Sequence, residues 1–451
     1  MIAPARVAAF EILQALSSGR ADLPSAIARA RAGLADDRDK ALAAEIATGV
    51  QRHRNAIDHL ITQFSRRDPD RLDLEVLDIL RLSAYQLLHL TRVPAAAVVD
   101  DAVDLTRRVK KRSASGFVNA VMRALSRARN SLPLPPRPDD PSDRKQALEY
   151  LTVTLSHPRW LAERWYDRLG FARAEQWMQF NNEPARLTLR VNRLKTSADA
   201  LITRLDRDDV LVERGRWAPD ALIVSEGRAL QTDAAADGSF VVQDEASQLV
   251  GLLATPSASA RVLDTCASPG GKTTEIAGVM NGSGLIVACD VRDARIALLT
   301  RTIAASGATN VRVVQADLRR PLPFGAAFDA VLVDAPCSGL GTLRRDPDIR
   351  WRRRESDLVD LTAAQTRMLG HAAACVAPGG RLIYSTCSSE PEENDDIADG
   401  FLKGSPAFAP ADARRGTGLP DAVVDGQGRL RTTPDRHGLE CFFGAVFERQ
   451  R

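Results

Sequence analysis

The chain has 451 residues, 44% apolar and 26% charged, with a formal charge of +3. That length exceeds one ordinary domain and points to two or three, and the composition supports packed cores rather than disorder. The charge is uneven, since residues 1–145 carry 24 Lys and Arg against 18 Asp and Glu, a basic bias that a solvated helical surface would also explain.

From Arg6 to Arg129 the apolar residues follow helical spacing: Ile57, Leu60, Ile61 and Phe64 fall at i, i+3, i+4, i+7, and Phe117, Val121 and Leu125 repeat every fourth position. No strand pattern interrupts them, so residues 1–130 are expected to form a helical bundle. Residues 131–145 read as an extended linker, because five prolines stand within Ser131–Pro141. A small α+β module is expected over 146–239, with helical text around Trp160, Trp165 and Trp177. Arg186 to Asn192 then alternates like a half-exposed strand. From 240 to 451, β and α runs alternate: Val262-Leu263, Leu285–Ala288, Val311–Val314, Ala330–Val333 and Arg381–Tyr384 are separated by helix-length segments. That alternation predicts a doubly wound, mostly parallel sheet. Arg6 and Glu11 break the opening apolar stretch, and the longest uncharged run, Ala246 to Ala260, is too short and polar to span a bilayer. A cytoplasmic protein with no membrane partner is expected.

Cys266-Ala267-Ser268-Pro269-Gly270-Gly271-Lys272 follows the first of those strands and opens a helix. Adjacent glycines let a ligand approach the backbone, and the helix start offers unpaired N–H groups. Gly271-Lys272-Thr273 imitates the end of a phosphate-binding loop, but Cys266 stands where that motif needs glycine. A dinucleotide fold is the second rival, since Asp290 ends the next strand, yet the loop is not Gly-x-Gly-x-x-Gly. After Asp264, at the end of the first strand, and Asp290, a third acidic residue, Asp317, ends the following strand, where it could accept from an adenine amino group. Three carboxylates in register at successive strand ends suit an adenosine ligand with a compact cationic tail, such as S-adenosylmethionine.

The six cysteines, at 266, 289, 337, 375, 387 and 441, form no Cys-x-x-Cys pair and no zinc spacing with histidine, so no metal is expected. Cys337 in Asp334-Ala335-Pro336-Cys337-Ser338-Gly339 and Cys387 in Thr386-Cys387-Ser388 each close an apolar strand. Both thiols therefore belong at the carboxyl edge of the sheet, where open α/β sheets bind ligands. Two sulfurs on one edge beside a glycine loop point to thiolate attack on a substrate with a cofactor alongside. Either cysteine could instead be a small buried apolar residue.

Those segments, with Pro391-Glu392-Glu393-Asn394 and Asp435-Arg436-His437-Gly438-Leu439-Glu440-Cys441-Phe442-Phe443, resemble in order and spacing the RNA cytosine-5 methyltransferase family, in its RsmB-type branch. Ser115-Gly116-Phe117-Val118-Asn119 and the surrounding bundle resemble the NusB-type domain of that branch. The resemblance implies a NusB-like bundle, a small RNA-positioning module and a Rossmann-like methyltransferase core. It implies methylation of cytosine carbon 5 in 16S ribosomal RNA, using S-adenosylmethionine, by a monomer. Cys387 would be the nucleophile and Cys337 the acid or base for release. Asp334 would bind the ring's amino and N3 edge, and Lys272 would neutralise carboxylates or orient the base. Residues 266–272, Asp290, Arg295, Asp317 and Asp334 would hold the cofactor. Two departures stand out: Ser268 replaces a common alanine and Cys441 a common glycine.

Arg344, Arg345, Arg350 and Trp351, within a run of six arginines from 344 to 354, are expected to bind RNA by phosphate contacts and base stacking beside the Cys337 loop. Lys110, Lys111 and Arg190 extend that track. The rivals are a transfer RNA methyltransferase of the same chemistry, a non-catalytic antitermination factor, and, within the mechanism, Cys337 as the nucleophile.

Overall fold

A computed structural model describes residues 2–254 and 257–451. The chain divides into two compact units, Met1–Pro184 with Leu343–Glu355, and Ala185–Thr342 with Ser356–Arg451. The uncharged run from Ala246 to Ala260 holds helix Glu245–Leu253; two of its positions, 255 and 256, lie outside the described residues. Among the described residues no helix is long and apolar enough to cross a membrane.

The first unit is helical. Helices Pro4–Ser17, Leu23–Ala32, Asp37–Arg52, Arg54–Ser65, Leu74–His89, Ala95–Arg108 and Ser115–Ala128 bury one continuous core that includes Ile46, Ile57, Leu80 and Val121. Pro133 to Asp140 carries no helix, as its prolines require. Helices Arg159–Leu169 and Phe171–Asn182 follow, with Trp165 and Trp177 packed edge to face at 5.4 Å. By their contacts these two helices fall in the first unit.

The second unit holds two sheets. The smaller has strands β1 (Thr188–Val191), β2 (Leu211–Arg214), β3 (Ala221–Glu226) and β4 (Phe240–Val242) in the order β2-β3-β1-β4, all antiparallel. Helix Ala198–Arg207 covers one face through Leu201 and Leu205. All four residues of β1 are buried, so the half-exposed reading of this strand is corrected: β1 is central in its sheet and covered on both sides.

The larger sheet contains β5 (Arg261–Asp264), β6 (Leu285–Asp290), β7 (Val311–Gln315), β8 (Phe328–Asp334), β9 (Val376–Thr386), β10 (Phe408–Ala411), β11 (Leu430–Thr432) and β12 (Phe442–Arg449). Its order is β10-β12-β9-β8-β5-β6-β7, with β11 also on β12. β9 to β7 are parallel neighbours, and β10, β11 and β12 join antiparallel. Alternate strand residues enter two cores: Ile286, Ala288, Ala330, Leu332 and Ile383 on one side, Val287, Cys289, Val331, Val333 and Leu382 on the other. Helices Gly271–Val279 and Asp293–Ser306 contribute to the first, Asp357–Ala373 and Asp395–Gly404 to the second. Burial on both faces is why these strands read as continuous apolar runs.

Candidate active site

Strand order reverses between β5 and β8, the first strand and its crossover neighbour, and open parallel sheets bind ligands outside that point. There the structure has a cavity of ≈ 520 Å³. The ends of five strands line it: Cys266 and Ser268 after β5, Asp290 and Arg295 after β6, Asp317 after β7, Asp334 and Cys337 after β8, and Cys387 after β9.

The β5 turn is built around Gly270, whose φ is +108°; a Cβ there would also stand 3.0 Å from Leu299 Cδ1. Helix Gly271–Val279 begins immediately after it. Asp290 holds the turn from the side. Its Oδ2 accepts from Ser268 N (3.2 Å) and Arg295 Nε (3.2 Å), its Oδ1 from Val291 N (2.8 Å), and Arg295 Nη2 closes the ring by donating to Ser268 O (2.7 Å). Asp264, at the end of β5, accepts from Thr273 Oγ1 (2.7 Å), while its buried Oδ1 has no hydrogen-bond partner. Burial pushes the Asp264 carboxyl up to about 6.

Cys337 Sγ and Cys387 Sγ lie 3.4 Å apart. The hydrogen bond to Cys387, with burial, raises the Cys337 thiol well above its ordinary value, so Cys337 is a protonated thiol near neutrality. Lys272 Nζ donates to Asp334 Oδ2 at 2.7 Å and Ser385 Oγ to Asp334 Oδ1 at 2.9 Å. Burial pulls the Lys272 ammonium down, but the Asp334 carboxylate and the nearby Cys387 sulfur outweigh it and leave it raised. A cation is thus held beside the sulfur pair.

A model of the 16S rRNA methyltransferase RsmB/F family matches residues 251–448, one of the NusB family residues 3–127, and one of the RsmF/B-like ferredoxin-like domain residues 157–231. The chain is 32% identical over 411 residues to the probable ribosomal RNA small subunit methyltransferase B of Bacillus subtilis, covering 90% of both chains. It is 31% identical over 420 residues to ribosomal RNA small subunit methyltransferase B of Pseudomonas putida, covering 92% of each. The chain belongs to the RsmB/F family of 16S rRNA methyltransferases. Among solved structures it resembles PH0851 with a TM-score of 0.81 and 27% identity over 100% of this chain and 99% of that one. NSun6 from Pyrococcus horikoshii, solved with SFG, shares the fold at a TM-score of 0.58 and 21% identity, over 65% of this chain and 98% of that one.

This RsmB/F methyltransferase, with its NusB-like bundle, ferredoxin-like module and α/β core, is S-adenosylmethionine-dependent and acts on rRNA. Of the residues singled out from sequence, Cys266, Ser268, Asp290, Arg295, Asp317, Asp334, Cys337 and Cys387 share the cavity. Ala267, Pro269, Gly270 and Gly271 shape its β5 turn, and Lys272 reaches in through Asp334. Both oxygens of Asp317 accept from Arg319, at 2.9 Å each, and that hydrogen bonding lowers its carboxyl.

The expected RNA track is corrected at two points, Arg190 and Arg350. Arg190 is 2% exposed and donates to Gly271 O, Thr274 Oγ1 and Glu275 Oε2, so it faces the core and not solvent. Arg350 is fully buried in the helical unit, donating to Ser156 O (3.0 Å), Asn182 Oδ1 (3.0 Å) and Asn181 O (3.3 Å). Trp351, half-buried, donates through Nε1 to Gln51 O at 2.6 Å and has Arg54 on its ring. Residues 343–355 thus join the helical unit rather than stay with the Cys337 loop. Arg344, half-buried there, lies 4.3 Å over the Phe180 ring and 3.6 Å from Glu183; Arg345 is half-buried too. Lys110 is exposed, and Lys111 pairs with Asp73 at 2.9 Å.

Glu393 carries a role that its charge concealed. It is fully buried and accepts from Ser338 N (2.8 Å), Ser338 Oγ, Ser388 Oγ and Gln365 Nε2 (2.9 Å), tying the residue after Cys337 to the residue after Cys387. Its place in Pro391-Glu392-Glu393-Asn394, five residues beyond Ser388, was the only available signal. Among the described residues no group of three His, Cys, Asp or Glu side chains could hold a metal ion.

Proposed function

We propose that this methyltransferase modifies carbon 5 of a cytosine in 16S rRNA through a covalent adduct with Cys387. The observation that carries this reading is the 3.4 Å approach of two thiols from different strand ends, inside the cavity that Cys266 and Ser268 of the β5 turn also line. One thiol suffices for a structural contact. Two, with a lysine–aspartate pair beside them, suit addition to a ring followed by release of the sulfur.

The cavity fits S-adenosylmethionine in chemistry. Three strand ends present the acidic side chains Asp290, Asp317 and Asp334, which suit hydroxyl, amino and cationic groups. We assign the 266–271 turn, Asp290, Arg295 and Asp317 to holding the cofactor. When bound, S-adenosylmethionine supplies an electrophilic methyl group on sulfur.

Carbon 5 of cytosine is a weak nucleophile, so the thiolate of Cys387 adds first, forming a bond to carbon 6. The displaced electron pair enriches carbon 5 and the N3–O2 edge. Asp334, oriented by Lys272 and Ser385, meets the amino and N3 edge, and the Lys272 ammonium offsets the negative charge. Addition leaves carbon 5 able to accept an electrophilic methyl group. Loss of the carbon 5 proton then restores the ring and breaks the sulfur–carbon bond. Cys337, in contact with the leaving sulfur, gives its thiol proton to that sulfur as the bond breaks, and the carbon 5 proton passes in turn to the Cys337 sulfur. A cytosine inside a duplex could not reach these sulfurs, so the target base is single-stranded or flipped out.

The test uses Cys337→Ala and Cys387→Ala proteins incubated with 16S rRNA fragments and cofactor, then run on a denaturing gel. The expected result is a persistent protein–RNA adduct with the first variant and none with the second. The opposite pattern would make Cys337 the nucleophile. Mapping methylated cytosines in RNA from cells with and without the protein would separate ribosomal from transfer RNA.

A further inference from the structure

Two consecutive glycines can adopt many backbone conformations, so a turn built on Gly270 and Gly271 needs outside restraint to hold one shape. Arg190 supplies it from the middle of β1. Its guanidinium donates to Gly271 O and to Thr274 Oγ1 at 2.7 Å, and Thr274 Oγ1 lies 2.9 Å from Gly270 O and 3.0 Å from Gly271 O. Glu275 Oε2 receives Arg190 at 3.4 Å and Gln243 Nε2 at 3.1 Å, and Gln243 is anchored to β1 by its own N–H to Thr188 O at 3.1 Å. Arg190 and Glu275 are both buried. Room for the carboxylate exists because position 251 is glycine: a Cβ there would fall 2.1 Å from Glu275 Oε2.

A buried ion pair is weak support for stability, because desolvation offsets much of the attraction. A guanidinium at the start of a helix also opposes the helix dipole. What this network does is hold the Gly271 carbonyl directly and the Gly270 carbonyl through Thr274, at the end of the turn whose Cys266 and Ser268 line the cavity. We propose that Arg190, Glu275 and Gln243 are positioning residues that preorganise the Gly270-Gly271 turn and so set affinity for S-adenosylmethionine, a step that rests on reading that turn as the cofactor site. The ferredoxin-like module, which contributes Arg190 on β1, thereby acts on cofactor binding as well as on the fold.

The test compares wild type with the Arg190→Met/Glu275→Gln double variant, which removes both charges together and avoids stranding either one. Measurements are melting temperature, calorimetric binding of S-adenosylhomocysteine, and separate KM values for cofactor and RNA. The expected result is a folded protein whose cofactor KM and S-adenosylhomocysteine Kd rise about tenfold, the loss of roughly one charge-assisted hydrogen bond. Its kcat at saturating cofactor and its RNA KM stay near wild type. Thr274→Val, which keeps both charges, is expected to shift cofactor KM in the same direction and serves if the double variant does not fold. Wild-type cofactor affinity in a folded variant overturns the proposal, as does a raised RNA KM with unchanged cofactor KM. If wild type itself binds no S-adenosylhomocysteine, the site assignment fails first, and this inference with it.

Discussion

Replacing Glu393 separates the thiol arrangement from the cofactor turn, because this carboxylate touches the loops that carry the cysteines and Gln365 of helix Asp357–Ala373, and not the glycine turn. In Glu393→Ala the two hydroxyls it joins, Ser338 and Ser388, can still pair with each other, being 3.2 Å apart. Gln365 Nε2 keeps its bond to Pro336 O at 3.0 Å. The Ser338 N–H loses its carboxylate acceptor, which costs about 1–3 kcal/mol in a buried setting. The vacated side-chain volume adds about 1–2 kcal/mol, for a total of about 2–5 kcal/mol. Glu393→Gln retains one carbonyl oxygen for the two N–H donors and offers its amide to hydroxyls that can rotate to accept, so a loss of only about 1 kcal/mol is expected. Urea unfolding measures the stabilities, and adduct yield with substrate RNA measures the chemistry. Placed on the Cys337→Ala background, where the adduct persists, Glu393→Ala should lose most adduct while binding S-adenosylhomocysteine normally. Equal destabilisation by Ala and Gln, or full adduct yield from the Ala variant, would refute the view that Glu393 holds the two sulfurs in register.

Single positions elsewhere make further tests. Gly270→Ala forces a side chain onto φ +108° and against Leu299, so about 1–3 kcal/mol of stability and much of the cofactor affinity should be lost, read by melting and calorimetry. Arg350→Met strips the donor from several buried carbonyls and should cost about 3 kcal/mol or more in urea unfolding, while the salt dependence of RNA binding by the folded protein stays unchanged. A surface phosphate contact would instead reduce that salt slope by about one. Asp264 has a folded-state carboxyl raised from 3.8 to about 6 by burial, so the folded protein binds more protons than the unfolded chain across that window. Stability should therefore fall as pH rises through it, by about 3 kcal/mol in all, and Asp264→Asn should flatten that slope in unfolding experiments at about pH 4 to 7.

The catalytic core was legible because its signals are local. A strand buried on both faces must be apolar throughout, so Ala330–Val333 and Arg381–Tyr384 announced themselves, and the residues just after a strand in a parallel sheet must lie at its carboxyl edge. That placed Cys337 and Cys387 on one edge from sequence. The same reasoning failed for arginine. Charge reads as surface, yet Arg190 and Arg350 are buried because backbone carbonyls and amide oxygens surround them, and in the case of Arg190 a carboxylate as well. Those acceptors come from segments far away in the chain, and no periodicity reports them.

Local patterning by itself determined the helical and α/β character of the segments, the glycine turn and the two cysteine-bearing strand ends, since each depends on neighbours within a few residues. Only tertiary structure decided the 3.4 Å meeting of the sulfurs, the burial of Glu393 between their loops, and the allegiance of residues 343–355 to the helical unit. Each of those is a contact between segments far apart in the chain. Its free energy comes from desolvation and hydrogen bonding that exist only once both segments have arrived.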